Sequence, residues 1–210
     1  LKTMQIAQQL YEGVDIEGEG TQGLVSYIRT DSTRVSEEAI AAARDMIAET
    51  YGDNYVPEEP NRYKSRRSAQ DAHEAIRPTD VLRRPDRIKS SLSRDQYKLY
   101  KLIYARFVAS QMTPAVYDTL SADITGDGIL MRANGSRMRF PGFTTVYEEG
   151  VDDAQAEEND GMPALTEGAP TSLTDVQADQ KFTMPPPRYT EASLIRALED
   201  KGIGRPSTYA

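Results

Sequence analysis

Gly23-Leu24-Val25-Ser26-Tyr27-Ile28-Arg29-Thr30-Asp31-Ser32-Thr33 is the stretch on which the reading of this chain turns. Its first half is short, apolar, β-branched and aromatic, and predicts a buried strand or extended segment over Gly23 to Ile28. Its second half is polar and rich in short hydroxyls. A tyrosine phenol, pKa ~10, is a poor nucleophile at neutral pH unless a neighbour stabilises or removes its proton. On an extended chain Arg29 points to the same side as Tyr27. There its guanidinium can bind a phosphate under attack and the charge that develops on it. Taken by itself, a tyrosine after Leu-Val-Ser reads first as a packed side chain.

Upstream, Lys2 to Tyr11 places Met4, Ile6, Ala7, Leu10 and Tyr11 near helical spacing. The Gly- and Glu-rich stretch from Gly13 to Gly20 reads as a surface loop. Downstream, Ser36 is a natural N-cap, with Glu37 and Glu38 placed to favour the helix dipole. That helix should run to about Thr50, end at Gly52, and bury Ala39, Ile40, Ala43, Met46 and Ile47. A second helix is expected from Ser93 to about Gln111, with Leu99, Leu102, Ile103, the stem of Arg106, Phe107 and Val108 inward. After Pro114 the period changes from 3.6 to 2, predicting a strand through Val116, Leu120, Ala122 and Ile124. Further strands are expected at 129–133, 143–148 and 171–177. The acidic stretch at 148–161 reads as a loop, and Pro185-Pro186-Pro187 as a stiff connector. Thr190 should cap a last helix that Gly202 ends.

Two more segments carry chemistry. The single histidine, His73, lies in Asp71-Ala72-His73-Glu74-Ala75-Ile76-Arg77-Pro78. Pro78 disfavours helix for Arg77, so a turn or extended element is expected. A lone histidine is commonly structural, but the charged setting also allows it to donate to a phosphate or relay a proton. The third segment runs from Arg188-Tyr189-Thr190-Glu191 through Gly202-Ile203-Gly204-Arg205-Pro206-Ser207-Thr208. Helix-start amides with Arg188, or Gly204-Arg205 ahead of Pro206, suit a phosphate. Plain capping beside a solvated arginine fits the same residues.

Composition narrows the chemistry. The 210 residues contain no cysteine, which removes disulfides, thiolate nucleophiles and zinc-thiolate sites together and fits a reducing cytoplasm. No stretch approaches the ~20 consecutive apolar residues of a membrane span. The chain begins inside a helical pattern, without a signal-peptide layout, and both ends read as cut. The net charge of −8 is unevenly spread: thirteen Lys and Arg face five Asp and Glu between Pro60 and Arg106, while Glu148 to Gln180 holds ten acidic residues and no basic one. A basic body with Tyr63, Tyr97, Tyr100 and Tyr104 interleaved is compatible with nucleic acid, and also with a solvated helix.

Together, Gly23 to Thr33, Ala72-His73-Glu74-Ala75-Ile76-Arg77-Pro78-Thr79, and Arg188 to Leu194 with Gly202 to Ala210 resemble the bacterial type IA DNA topoisomerases, in particular topoisomerase I. Reverse gyrase is a minor alternative within the same resemblance. What the resemblance implies for fold is an α+β, multidomain core fragment. A mainly helical domain (1–113) carries the tyrosine, a β-rich arch or gate segment (114–183) follows, and a helical strand-binding domain begins at 184–210. Tyr27 matches the nucleophile that forms a 5′-phosphotyrosyl bond, Arg29 the arginine that orients the scissile phosphate, and His73 the histidine that supports cleavage. Thr30 and Asp31 match neighbours that shape the site and contact the strand. Gln8 and Glu12 match positions on the preceding helix, and Ser26 stands where some relatives carry threonine. Arg77 lies in the matched His73 motif, and Arg188, Thr190 and Arg205 match a strand-guiding region. The resemblance implies DNA, especially single-stranded, as partner. It also implies Mg²⁺ held by an N-terminal Toprim domain outside this chain, no nucleotide cofactor and no membrane. The expected setting is the cytoplasmic nucleoid. A non-catalytic single-strand-binding or gate-forming module sharing the fold is the competing expectation.

Overall fold

A computed structural model of the chain describes residues 2–30, 32–63, 73–148, 164–204 and 208. The chain divides into two compact units: residues 1–116 and 140–152 with residue 210, and residues 117–139 with 153–209.

In the first unit, α1 (Lys2–Glu12) buries Ala7 and Leu10 and leaves Met4 and Tyr11 exposed. The segment after it, expected as a loop, is a β-hairpin. Val14–Ile16 (β1) pairs antiparallel with Gly20–Gln22 (β2), in the register Val14↔Gln22, Asp15↔Thr21 and Ile16↔Gly20. Ile16 anchors the hairpin in the core at 4% exposure, so one buried β-branched residue organises a stretch whose glycines read as loop. The helix expected after Ser36 forms as α2 (Glu37–Tyr51). The Ser36 side chain accepts from the Ala39 amide, and Gly52, at φ +103°, caps the end by donating to the Ala48 carbonyl. Ile40, Ala43, Met46 and Ile47 are its buried face.

The next helix, α3 (Arg94–Ser110), starts with a full capping box between Ser93 and Gln96. Its buried face is Tyr100, Tyr104, Phe107 and Val108. Leu102, expected inward, is exposed, and Leu99 and Ile103 are only half-buried. The cause is the polar tip of each tyrosine. The Tyr100 hydroxyl donates to the Arg83 carbonyl at 2.7 Å and the Tyr104 hydroxyl to the Val81 carbonyl at 2.8 Å. Each large ring is thus buried with its one polar group satisfied, which favours it over leucine at the interface. Arg106 is exposed and lies over the Tyr147 ring, 4.8 Å from its centroid. The core gathers Leu10, Ile16, Leu24, Val25, Met46, Ile47, Tyr100 and Val108 among others.

In the expected β region, β3 (Val116–Gly126) and β4 (Ile129–Phe140) form one long hairpin. Asp127 and Gly128 make its turn with φ of +48° and +79°, the primed turn that matches strand twist. A two-oxygen contact from Asp123 to Arg132 ties the strands at 2.7 and 2.9 Å. The second strand continues well past the expected 129–133. The strand expected at 143–148 is a short 3-10 turn, Gly142–Thr145. Gly142 has φ +51° and sits so close to the Pro114 carbonyl that a Cβ would collide with it, so the chain turns there. Residues 171–177, expected as a strand, have no ladder and are exposed. A period-2 pattern needs a partner before it becomes a sheet. Most of the acidic stretch, 149–161, lies outside the described residues. In the second unit α4 (Glu191–Asp200) is capped by Thr190, with Ser193 completing the box, and Gly202 follows at φ +66°.

Candidate active site

The site is built by zipping two segments about fifty residues apart. The Ser26 amide donates to the Arg77 carbonyl at 2.9 Å and the Thr79 amide to the Leu24 carbonyl at 3.0 Å, around a bridge between Val25 and Pro78. The Ser26 hydroxyl serves both directions: it donates to the Ala75 carbonyl at 2.7 Å and accepts from the Arg77 amide at 2.9 Å. The Thr79 hydroxyl donates to the Gly23 carbonyl at 2.7 Å. Below this ladder Leu24 and Val25 are fully buried, and the Leu24 amide donates to the Leu10 carbonyl at 2.7 Å. This extended segment, which makes one isolated bridge and no strand, is therefore fixed to core, helix and partner segment just before the chain surfaces at Tyr27, which is 52% exposed.

From there the path departs from the expected extended run. The Arg29 amide donates to the Tyr27 carbonyl at 2.8 Å, closing a three-residue turn about Ile28. Arg29 reaches His73 by this turn. Its Nη1 lies 3.5 Å from His73 Nε2, and the His73 ring stacks on Tyr27 with centroids 6.0 Å apart and planes at 29°. A guanidinium only donates, so the atom of His73 that faces it is the one that can accept. Nδ1 is buried with no hydrogen-bond partner among the described residues. Tyr27, Arg29 and His73 thus meet at one exposed place.

Other candidates have different settings. Arg77 points its donors at protein: Nε and Nη2 at Glu74, Nη1 at the Pro78 carbonyl and Nη2 also at Ser36 Oγ. Gln8 donates to Glu12 at 2.5 Å along the exposed side of α1. Thr30 is exposed beyond the turn, and Asp31 lies outside the described residues. Sequence reasoning missed Tyr11, grouped there with the helix's apolar residues. It is exposed and meets Tyr27 edge to face at 5.4 Å. Helical spacing carried no such signal, since Tyr11 lies four residues beyond buried Ala7 on the same side of the helix.

A family model described as DNA topoisomerase matches residues 1–210. The chain belongs to the DNA topoisomerase family. Full-length topoisomerase I from Thermotoga maritima, solved in a monoclinic crystal form, is similar in structure with a TM-score of 0.82 and 41% identity. The match covers 100% of this chain and 32% of that one, so the chain spans about a third of that topoisomerase. Mixed helices and small antiparallel sheets are those of a bacterial type IA topoisomerase core fragment.

In this topoisomerase segment the tyrosines of the basic stretch divide. Tyr100 and Tyr104 are core residues. Burial pushes the Tyr100 hydroxyl far above the usual phenol range and that of Tyr104 up to about 12. Tyr63 donates to the Ser110 carbonyl at 2.7 Å, and burial raises its pKa too. Tyr97 faces outward, donating to Asp86 at 2.6 Å, with Lys89 and Lys101 ammonium groups 5.3 and 6.0 Å from its ring centre. Arg94, Lys98 and Lys101 are exposed and share a face of α3 by helical spacing. Arg188 and Thr190 are exposed in the second unit, where the Thr190 hydroxyl accepts from the Ser193 amide. Arg205 lies outside the described residues.

Proposed function

We propose that this chain is the part of a type IA topoisomerase that cuts one DNA strand with Tyr27. The observation that carries the reading is the meeting of Tyr27, Arg29 and His73 on an exposed face, held by the ladder from Gly23 to Thr79. The Tyr27 phenol oxygen attacks the scissile phosphorus. A bond forms from oxygen to phosphorus as the phenol gives up its proton, the bond to the 3′ oxygen breaks, and that oxygen takes up a proton and leaves as a free 3′-hydroxyl. The strand's 5′ phosphate stays on Tyr27 while the other strand passes. The 3′-hydroxyl then attacks the phosphotyrosine and restores the phosphodiester. One ester replaces another at each step, so no nucleotide is consumed. Arg29 orients the phosphate and stabilises its charge through charge-assisted hydrogen bonds. His73 holds Arg29 by Nε2 and supports the Tyr27 ring by stacking.

Among the described residues no group of three His, Cys, Asp or Glu side chains could hold a metal ion. Single-stranded DNA is the proposed substrate and the cytoplasmic nucleoid the proposed setting. The test uses the full-length enzyme carrying this segment and a single-stranded oligonucleotide that traps the cleaved state. The wild type should give a covalent adduct to the fragment on the 3′ side of the break, joined through its 5′ phosphate, and Tyr27→Phe none. An adduct that survives Tyr27→Phe sinks the reading and favours a strand-binding module.

A further inference from the structure

Tyr27 is half exposed, yet its ring has aromatic neighbours from two different segments. His73 stacks on it, and Tyr11 meets it edge to face at 5.4 Å with planes at 63°. Tyr11 comes from the last turn of α1, which is hydrogen-bonded to the segment that bears Tyr27. The Leu24 amide donates to the Leu10 carbonyl at 2.7 Å. At Gly23 a Cβ would stand 2.9 Å from the Tyr11 carbonyl oxygen, so only glycine permits this approach. The Tyr11 backbone is therefore tied to the segment that bears Tyr27, and its ring lies against the Tyr27 ring. Burial is not what keeps Tyr11 there. It is 39% exposed, while Ala7 and Leu10 fix α1 to the core.

We infer that Tyr11 is a positioning residue for Tyr27: its ring limits the swing of the Tyr27 side chain and presents the phenol oxygen to the phosphate in one orientation. The inference rests on Tyr27 being the nucleophile. A solvent-exposed tyrosine samples several staggered wells, and attack requires one of them. An edge-to-face contact is attractive because the positive rim of one ring meets the negative face of the other. The role belongs to the ring, not to the Tyr11 hydroxyl, and an aliphatic chain of similar bulk does not reproduce it.

The test compares Tyr11→Phe, Tyr11→Leu and Tyr11→Ala in the full-length enzyme. Single-turnover adduct formation is measured on a single-stranded oligonucleotide, and affinity is measured separately in a non-cleaving Tyr27→Phe background. Tyr11→Leu and Tyr11→Ala should slow adduct formation about two- to tenfold, the range expected for one aromatic pair. Tyr11→Phe should stay near the wild-type rate, and affinity should change less than about twofold, the effect falling on the chemical step. A wild-type rate in Tyr11→Leu overturns the inference. So does an equal loss in Tyr11→Phe, which would point to the hydroxyl, or a rate loss matched by lost affinity. An adduct persisting in Tyr27→Phe alone would instead remove the nucleophile itself, a separate failure.

Discussion

Arg29 shows how little of a residue's function lies in the direction its side chain takes from the local chain. Two positions beyond Tyr27, it was expected alongside it on an extended strand. It arrives by a turn that closes on the Tyr27 carbonyl, and His73 meets its guanidinium at 3.5 Å. If the guanidinium supplies the charge stabilisation proposed, Arg29→Ala should lower the rate of strand cleavage about 10²- to 10³-fold, the usual loss for one such donor. Single-turnover cleavage by the full-length enzyme checks this, and a loss below tenfold would assign that work elsewhere. Ser26 was expected to touch DNA, and its hydroxyl is instead satisfied by Ala75 and Arg77. Removing it leaves two backbone groups in a half-buried ladder without that partner. Ser26→Ala should therefore cost about 1–3 kcal/mol, read as a lower urea midpoint, while Ser26→Thr keeps the hydroxyl. That Tyr27, Arg29 and His73 lie close together was legible from motifs. The bracket at Ser26 was not, because its partners lie about fifty residues away and are backbone atoms that no side-chain pattern encodes.

At the scale of elements, helix ends were the clearest signals. Ser36, Ser93 and Thr190 each cap the helix expected after them, and Gly52 terminates α2, because caps are settled within four residues. Faces and strands were less legible. The rotation of α3 toward Tyr100 and Tyr104 depends on carbonyls at Arg83 and Val81, which helical spacing cannot reveal. That rotation has a pH signature. The unfolded chain releases its tyrosine protons near pH 10, whereas Tyr104 holds its own to about 12 and Tyr100 beyond. Above pH ~10 the unfolded state binds fewer protons, so stability is intact below that pH and falls as pH rises through the folded values. An ultraviolet tyrosinate titration should show these two rings ionising only with unfolding. Tyr104→Phe should soften the alkaline loss. The exposed face of α3 makes a different prediction. If Lys98 and Lys101 contact strand phosphates, changing both to Gln should lower the slope of log affinity against log salt by about 1.4, near 0.7 for each contact. An unchanged slope would leave them as solvated side chains.

For the molecule as a whole, the family and architecture were legible because three separated motifs had to agree in order. The hairpin at β1–β2, the turn at Gly142 and the unpaired stretch at 171–177 were not, since each depends on what packs against it. The chain spans about a third of the topoisomerase I it matches. We expect the 210-residue chain alone to leave negatively supercoiled DNA unrelaxed in the presence of Mg²⁺. Robust relaxation by it in a gel assay would show that the reaction needs nothing outside these residues.

The ladder between Ser26 and Arg77 also sets an order of events in biosynthesis. Closing it confines a loop of about fifty residues, an entropy that only contacts formed across the whole loop can offset. A ribosome that has made Tyr27 and Arg29 but not yet His73 to Thr79 holds Tyr27 without the ladder that fixes its segment. In the nascent chain the meeting of Tyr27, Arg29 and His73 therefore waits for the second segment to emerge.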